Sequence, residues 1–200
     1  MISKINQQLI DHYDALASRR DAFRAQNTYY YQSLHKEYRF FIPKGKKVLE
    51  IGCGTGELLS ALEPSLGVGV DISPRMIEIA QQKFPAMKFY AGEAGDLPVE
   101  EKFDYIVLSG LLGELADIQE TLLAIRTFCV PGTRLVIEYY SYFWQCFLRL
   151  GEKIGWKIPQ RIQNWVTIGD VLNFLKLTGY EAVKVERHIL LPVNIPVLSW

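Results

Sequence analysis

The stretch Val48-Leu49-Glu50-Ile51-Gly52-Cys53-Gly54-Thr55-Gly56-Glu57 constrains this chain more than any other. Val48, Leu49 and Ile51 form a short apolar run, preceded by the turn signal Pro43-Lys44-Gly45 and halted at Gly52. Such a run reads as a buried strand entering a glycine-rich turn. Glu57-Leu58-Leu59-Ser60-Ala61-Leu62 then has the composition of one or two helical turns. Strand, turn and helix in that order set backbone N–H groups at the helix start against a ligand. Three glycines at alternate positions let the main chain approach it without Cβ atoms in the way. The spacing is G-x-G-x-G, not the G-x-G-x-x-G of dinucleotide binders. Glu50, just before the run ends, suits a cationic or polyhydroxylated ligand rather than a pyrophosphate.

The next apolar run, Leu66-Gly67-Val68-Gly69-Val70, closes on Asp71 and is followed by Ile72-Ser73-Pro74. An acid ending a second strand, about 20 residues past a glycine turn, is where α/β nucleotide folds bind ribose hydroxyls. Asp71 has a plainer reading as a turn or capping residue. Ser73 is a good N-cap and Pro74 a good first helical residue. Taken together, Glu50-x-Gly52-x-Gly54-x-Gly56 and Asp71-Ile72-Ser73 resemble the class I S-adenosylmethionine-dependent methyltransferases, over about residues 46–140.

That resemblance implies a set of cofactor-binding residues. Glu50 accepts from a polar end of the cofactor, directly or through water. Gly52, Cys53, Gly54, Thr55 and Gly56 wrap its amino-acid portion, and Asp71 holds the ribose. Glu93 and Ala94 meet the adenine, with Asp96 competing for the same part. Ile72, Met76 and Ser109 complete the set. Glu114 stands where family members commonly carry a His. It is either a general base or a carboxylate at the pocket rim. The segment before the first strand is often a lid in this family, which makes Tyr30 a second catalytic candidate.

Composition fits one domain. Two hundred residues, 49% apolar, can bury a full core, and the net charge of +0 offers no nucleic-acid surface. Cys53, Cys129 and Cys146 lack metal spacing and read as free thiols in a reducing compartment, so no metal is expected. Neither a signal segment nor an apolar run of 18 residues occurs, which favours a cytoplasmic protein without a transmembrane segment.

Along the chain, Ile5, Leu9, Tyr13 and Leu16 predict a helix over 4–17, and polar residues 18–27 read as a connection. Tyr29, Tyr30 and Tyr31 open a second helix with Leu34, Tyr38 and Phe41 on its apolar side. Three adjacent tyrosines cannot share one helix face. A helix over about 74–84 and strands at 87–90, 103–109 and 133–138 follow, with another helix over about 117–128. Tyr139 to Leu150 is crowded with aromatic residues, as core, acceptor wall, lid or docking surface. Thr167-Ile168-Gly169-Asp170 resembles a capping box, and Gly179 suits the helix end. Residues 180–187 alternate as a strand. Tyr180 and Lys184 are therefore roughly 13 Å apart and cannot act as the Tyr-x-x-x-Lys pair of short-chain dehydrogenases.

The expected fold is α/β, doubly wound in three layers, with a mostly parallel seven-stranded sheet and an antiparallel C-terminal strand pair. Residues 1–45 are N-terminal helices, 46–139 the cofactor-binding core, 140–166 the acceptor side, and 167–200 the last helix and strands. The expected activity is methyl transfer from S-adenosylmethionine to a small-molecule or glycan- or lipid-linked acceptor. A non-catalytic methyltransferase-like module and an NAD-dependent oxidoreductase are the alternatives. The apolar end Ile189 to Trp200 suggests an adjoining domain or a homodimer.

Overall fold

The computed structural model describes residues 4–139 and 166–187. Within them, β1 (Lys47–Ile51), β2 (Leu66–Asp71), β3 (Lys88–Ala91), β4 (Tyr105–Ser109) and β5 (Arg134–Glu138) form one parallel sheet, in the order β3-β2-β1-β4-β5. Helices α1 (Lys4–Gln26) and α2 (Thr28–Phe41) precede the sheet. The others are α3 (Glu57–Ala61), α4 (Pro74–Lys83), α5 (Ile118–Ile125) and, near the end, α6 (Ile168–Leu177). From β1 the chain winds outward through β2 to β3, then returns to lay β4 on the other side of β1. That reversal opens a crevice at the strands' carboxyl ends, where open α/β sheets bind ligands.

Alternation along the strands builds a core on each face. Leu49, Ile51, Ile106 and Leu108 pack with Ile118, Leu122 and Ile125 of α5 and Val171 of α6. Val48 and Val107 pack on the other side with Leu34 and Tyr38 of α2, Leu58 and Leu59, and Ile77 of α4. Each such aliphatic side chain contributes about 1.5–3 kcal/mol by its burial. Gly69 explains part of the second strand's composition. A Cβ there would lie 2.7 Å from Cys53 Sγ and 2.8 Å from Phe89 Cδ1, so only glycine lets the turn after β1 close against β2.

The helix caps follow their sequence signals. Ser73 Oγ accepts from Met76 N–H with Pro74 in the first turn. Thr167 and Asp170 form a reciprocal capping box, with Asp170 N–H donating to Thr167 Oγ1 at 3.2 Å and Thr167 N–H to Asp170 Oδ2 at 2.8 Å. Gly179 follows the end of α6 at φ +78°.

Two expectations are corrected. Residues 18–26 are not a connection: α1 runs unbroken to Gln26. Their Ala, Arg and Gln residues favour helix, and Asp21 and Arg24 make ion pairs with Lys83 and Glu57 on distant elements. The break falls at Asn27, whose φ of −111° and ψ of 34° leave the helical region. Nor are residues 181–187 a strand. They are irregular and exposed, with Val183 79% and Val185 53% accessible. Alternation alone cannot make a strand without an edge to pair with, and the sheet of the described residues has five strands rather than seven. The second strand of the expected C-terminal pair, the apolar docking end from Ile189 to Trp200 and the aromatic segment 140–165 lie outside the described residues. No helix among the described residues is long and apolar enough to cross a membrane.

Candidate active site

The turn after β1 adopts a backbone that only glycine adopts readily. Gly52, Gly54 and Gly56 have φ of +74°, +53° and +84°, which accounts for their alternate spacing. The N–H groups of Gly52 and Cys53 both donate to Val70 O, at 2.8 and 3.0 Å, fastening the turn to the end of β2. Asp71 completes the join. Its Oδ2 accepts from Gly54 N–H at 2.8 Å and its Oδ1 from Ser73 N–H at 3.0 Å. Burial raises its carboxyl above the ordinary value, although these two N–H groups favour the anion. A carboxylate has about four acceptor sites, so these bonds leave capacity for a ligand hydroxyl.

Around the turn two buried charged side chains each leave one atom without a hydrogen-bond partner. Glu50 is 3% exposed, and burial pushes its carboxyl up to about 8 against the opposing pull of Arg24. Its Oε2 is buried without a hydrogen-bond partner, as is Nε of Arg20. The Arg20 guanidinium lies directly over the turn, 3.0 Å from where a Cβ on Gly54 would sit. Buried polar atoms are normally satisfied, so a carboxyl oxygen and a guanidinium nitrogen left open beside one glycine turn mark it as a candidate site for a polar ligand. Glu57, at the start of α3, is not such an orphan. Burial disfavours its charge, but Arg24, Lys83 and the Thr55 hydroxyl hold it well below the usual carboxylate range. Cys53 is buried, and burial pushes its thiol well up, so it is no nucleophile.

α1 forms the roof. Asp14 accepts from the Ser73 hydroxyl and from Arg75 N–H at 3.1 Å, at the start of α4. Asp21 accepts from Lys83 at 3.0 Å, at the end of the same helix. Tyr13 donates to Glu114, which places that carboxylate at the junction between α1 and the turn after β4. On α2, Tyr30 and Tyr31 are half-buried and meet edge to face at 5.2 Å, and Arg24 stacks 4.0 Å over Tyr31. Both rings line the cleft.

The remaining expected residues also fall on its lining. Ile72 is half-buried, Met76 and Ala94 are buried, and Glu93 and Asp96 are exposed on the loop after β3. Ser109 ends β4 and donates to Glu138 Oε2 at 3.3 Å. Sequence reasoning missed Tyr13, Asp14, Arg20 and Glu138. Nothing in Arg19-Arg20 separates a buried guanidinium from a solvated one. Glu138 did carry a signal, since it closes β5 as Glu50 and Asp71 sit at the ends of β1 and β2.

A family described as a methyltransferase domain matches residues 23–185. The chain belongs to this family. It is a class I S-adenosylmethionine-dependent methyltransferase domain. A demethylmenaquinone methyltransferase of Symbiobacterium thermophilum is 27% identical over 178 residues, 81% of this chain and 70% of its own length. Two solved structures share the fold. One is a chain of the Haloferax volcanii complex between the Trm112 methyltransferase activator and a methyltransferase. It has a TM-score of 0.73 and 20% identity, and the match covers 92% of this chain and 83% of that one. The other, a Thermotoga maritima S-adenosylmethionine-dependent methyltransferase, gives 0.71 at 19% identity, over 86% and 81%. Neither the oxidoreductase nor the non-catalytic module gains support from these likenesses. In this methyltransferase domain Glu50, Asp71 and Glu138 line one cleft with Gly52 and Cys53 of the turn, whereas Gly54, Thr55 and Gly56 are not on its lining.

Proposed function

We propose that this cytoplasmic methyltransferase domain binds S-adenosylmethionine along the carboxyl ends of β1 and β2, and methylates a small-molecule acceptor admitted beside β4 and β5. When bound, the cofactor supplies a methyl group on a sulfonium, already a good electrophile. The protein's part is to orient, to exclude water and to receive a proton where one is lost.

The observation that carries this reading is the pair of buried orphans at the glycine turn. Glu50 takes the ammonium of the methionine end and Arg20 its carboxylate, beside Gly52 and Cys53 on the cleft lining, while Gly54, Thr55 and Gly56 shape the turn that holds them. Asp71 takes the ribose hydroxyls. Ile72 and Met76 pack on the adenine, whose edge meets Glu93 and Ala94. Ser109 borders the transferred methyl. Tyr30 belongs to the acceptor wall, and Glu114, already bonded by Tyr13, secures the roof. Relatives named demethylmenaquinone methyltransferases favour a small organic acceptor over a macromolecule.

Calorimetric titration with S-adenosylhomocysteine, which keeps the same zwitterion, tests the assignment. The wild-type domain is expected to bind it, and Arg20→Met to bind it about tenfold or more weakly, the usual cost of stranding one member of a buried charge pair. No binding by the wild type, or equal binding by Arg20→Met, refutes the placement.

A further inference from the structure

Glu138 is the acid the donor site leaves unused. It closes β5 and shares a neighbourhood with Ser109 on β4, Tyr38 and Glu37 on α2, and Glu50 on β1. Ser109 is its hydrogen-bond donor at 3.3 Å, and no ion pair reaches it among the described residues. The charge that weighs on it is another carboxylate, Glu37. Tyr38 is 3% exposed, and its hydroxyl is buried with no hydrogen-bond partner, near Glu138 and Ser109. An acidic group of this kind with an unsatisfied hydroxyl is a costly arrangement unless something polar completes it. The aromatic rings of Tyr30, Tyr31 and Phe41 line the same cleft and give it an apolar wall.

We propose that this chamber binds an acceptor carrying a protonated amine on an aromatic or aliphatic body, and that Glu138 receives the proton the nitrogen must lose. The proposal rests on the methyl-transfer reading above and names its acceptor class. Once the donor's ammonium sits at Glu50, the Glu138 carboxylate, which no ion pair reaches among the described residues, remains on the acceptor side. That favours a cation and opposes the phenolate that a hydroxylated ring would develop. One N–H bond breaks and its proton passes to a Glu138 oxygen. The freed lone pair on nitrogen then forms the N–C bond to the methyl as the C–S bond breaks, that electron pair staying on sulfur. Ser109 orients the carboxylate, and the open Tyr38 hydroxyl is left to meet the acceptor.

Burial pushes the Glu138 carboxyl up to about 7, with Glu37 adding to the effect and the Ser109 hydroxyl and Gly110 N–H opposing it. Its anion is therefore a competent proton acceptor near neutral pH. Tyr38 is driven well above its ordinary value, first by burial and then by Glu138, so it stays protonated.

The test uses phenethylamine and its uncharged counterpart 2-phenylethanol, titrated calorimetrically into the whole domain saturated with S-adenosylhomocysteine. Saturation holds Glu50 ionised, so the pH dependence reports on Glu138. Phenethylamine is expected to bind about tenfold or more tightly than the alcohol at about pH 8.5, and to weaken as pH falls through about 7. In Glu138→Gln both the preference and the pH dependence should vanish, while affinity for S-adenosylhomocysteine holds. That last measurement separates this proposal from the donor-site reading, whose failure appears as lost product binding. Equal binding of amine and alcohol, an unaltered profile in Glu138→Gln, no amine binding, or tighter binding of 1,4-dihydroxynaphthalene than of phenethylamine each overturns it.

Discussion

Replacing Glu50 by Gln should make the ligand-free domain more stable and its cofactor binding worse. In the unfolded chain this carboxyl ionises near 4.5, whereas burial in the fold pushes it up to about 8. Below pH 4.5 both states hold the proton, and the substitution is nearly neutral. Between those values the unfolded chain releases the proton while the folded one keeps it, so the wild type loses stability as pH rises. Above about 8 the loss is complete. At about 1.4 kcal/mol for each pH unit, the ceiling is about 5 kcal/mol, and relaxation around the site brings the expected gain to about 2 kcal/mol. Gln has the same shape without the charge, so it escapes this penalty. Urea unfolding of both proteins from pH 5 to 9 measures the gap, which should widen with pH. The same variant should bind S-adenosylhomocysteine about tenfold or more weakly, having no anion for its ammonium. A stability gap that is flat with pH refutes the burial argument. Undiminished binding refutes the role of the orphan oxygen.

Asp71→Ala removes the acceptor of the Gly54 and Ser73 N–H groups along with the proposed ribose contact. S-adenosylhomocysteine binding should fall by about 1.5–3 kcal/mol, and unchanged affinity in a folded variant would remove Asp71 from the site. Thr167→Ala opens one side of the α6 capping box. It should cost about 1 kcal/mol in urea unfolding, and a loss below about 0.3 kcal/mol would mean that α6 holds by packing alone.

The parts of the fold that were legible are those whose causes are local. The apolar run of β1, the φ-demanding glycines, the acid closing β2 and the Ser73 and Thr167 caps each act within a few residues, so their pattern survives in the sequence. α1 was misjudged beyond residue 17 because its polar half is anchored by Asp21 and Arg24 to Lys83 and Glu57, far along the chain. A charged helix held by distant ion pairs looks the same on paper as a solvated linker. The segment 181–187 erred the other way: its alternation is real, but pairing depends on a sheet edge, which no single segment encodes. Arg20 was invisible for the same reason as α1. Glu138 was visible as the acid closing a third strand, and drew no inference because no family motif marks it.

The reversal of winding between β3 and β4 has a consequence for how such a protein can change over generations. Residues 47–91 build β1, β2 and β3 with the glycine turn, and residues 105–138 supply β4 and β5. The two blocks meet along one ladder, Val48 to Ile51 against Tyr105 to Leu108. Substitutions at the outer end of the second block, such as at Glu138, can therefore accumulate without disturbing the bonds that shape the first. A lineage can drift from one acceptor to another while the donor it spends stays the same.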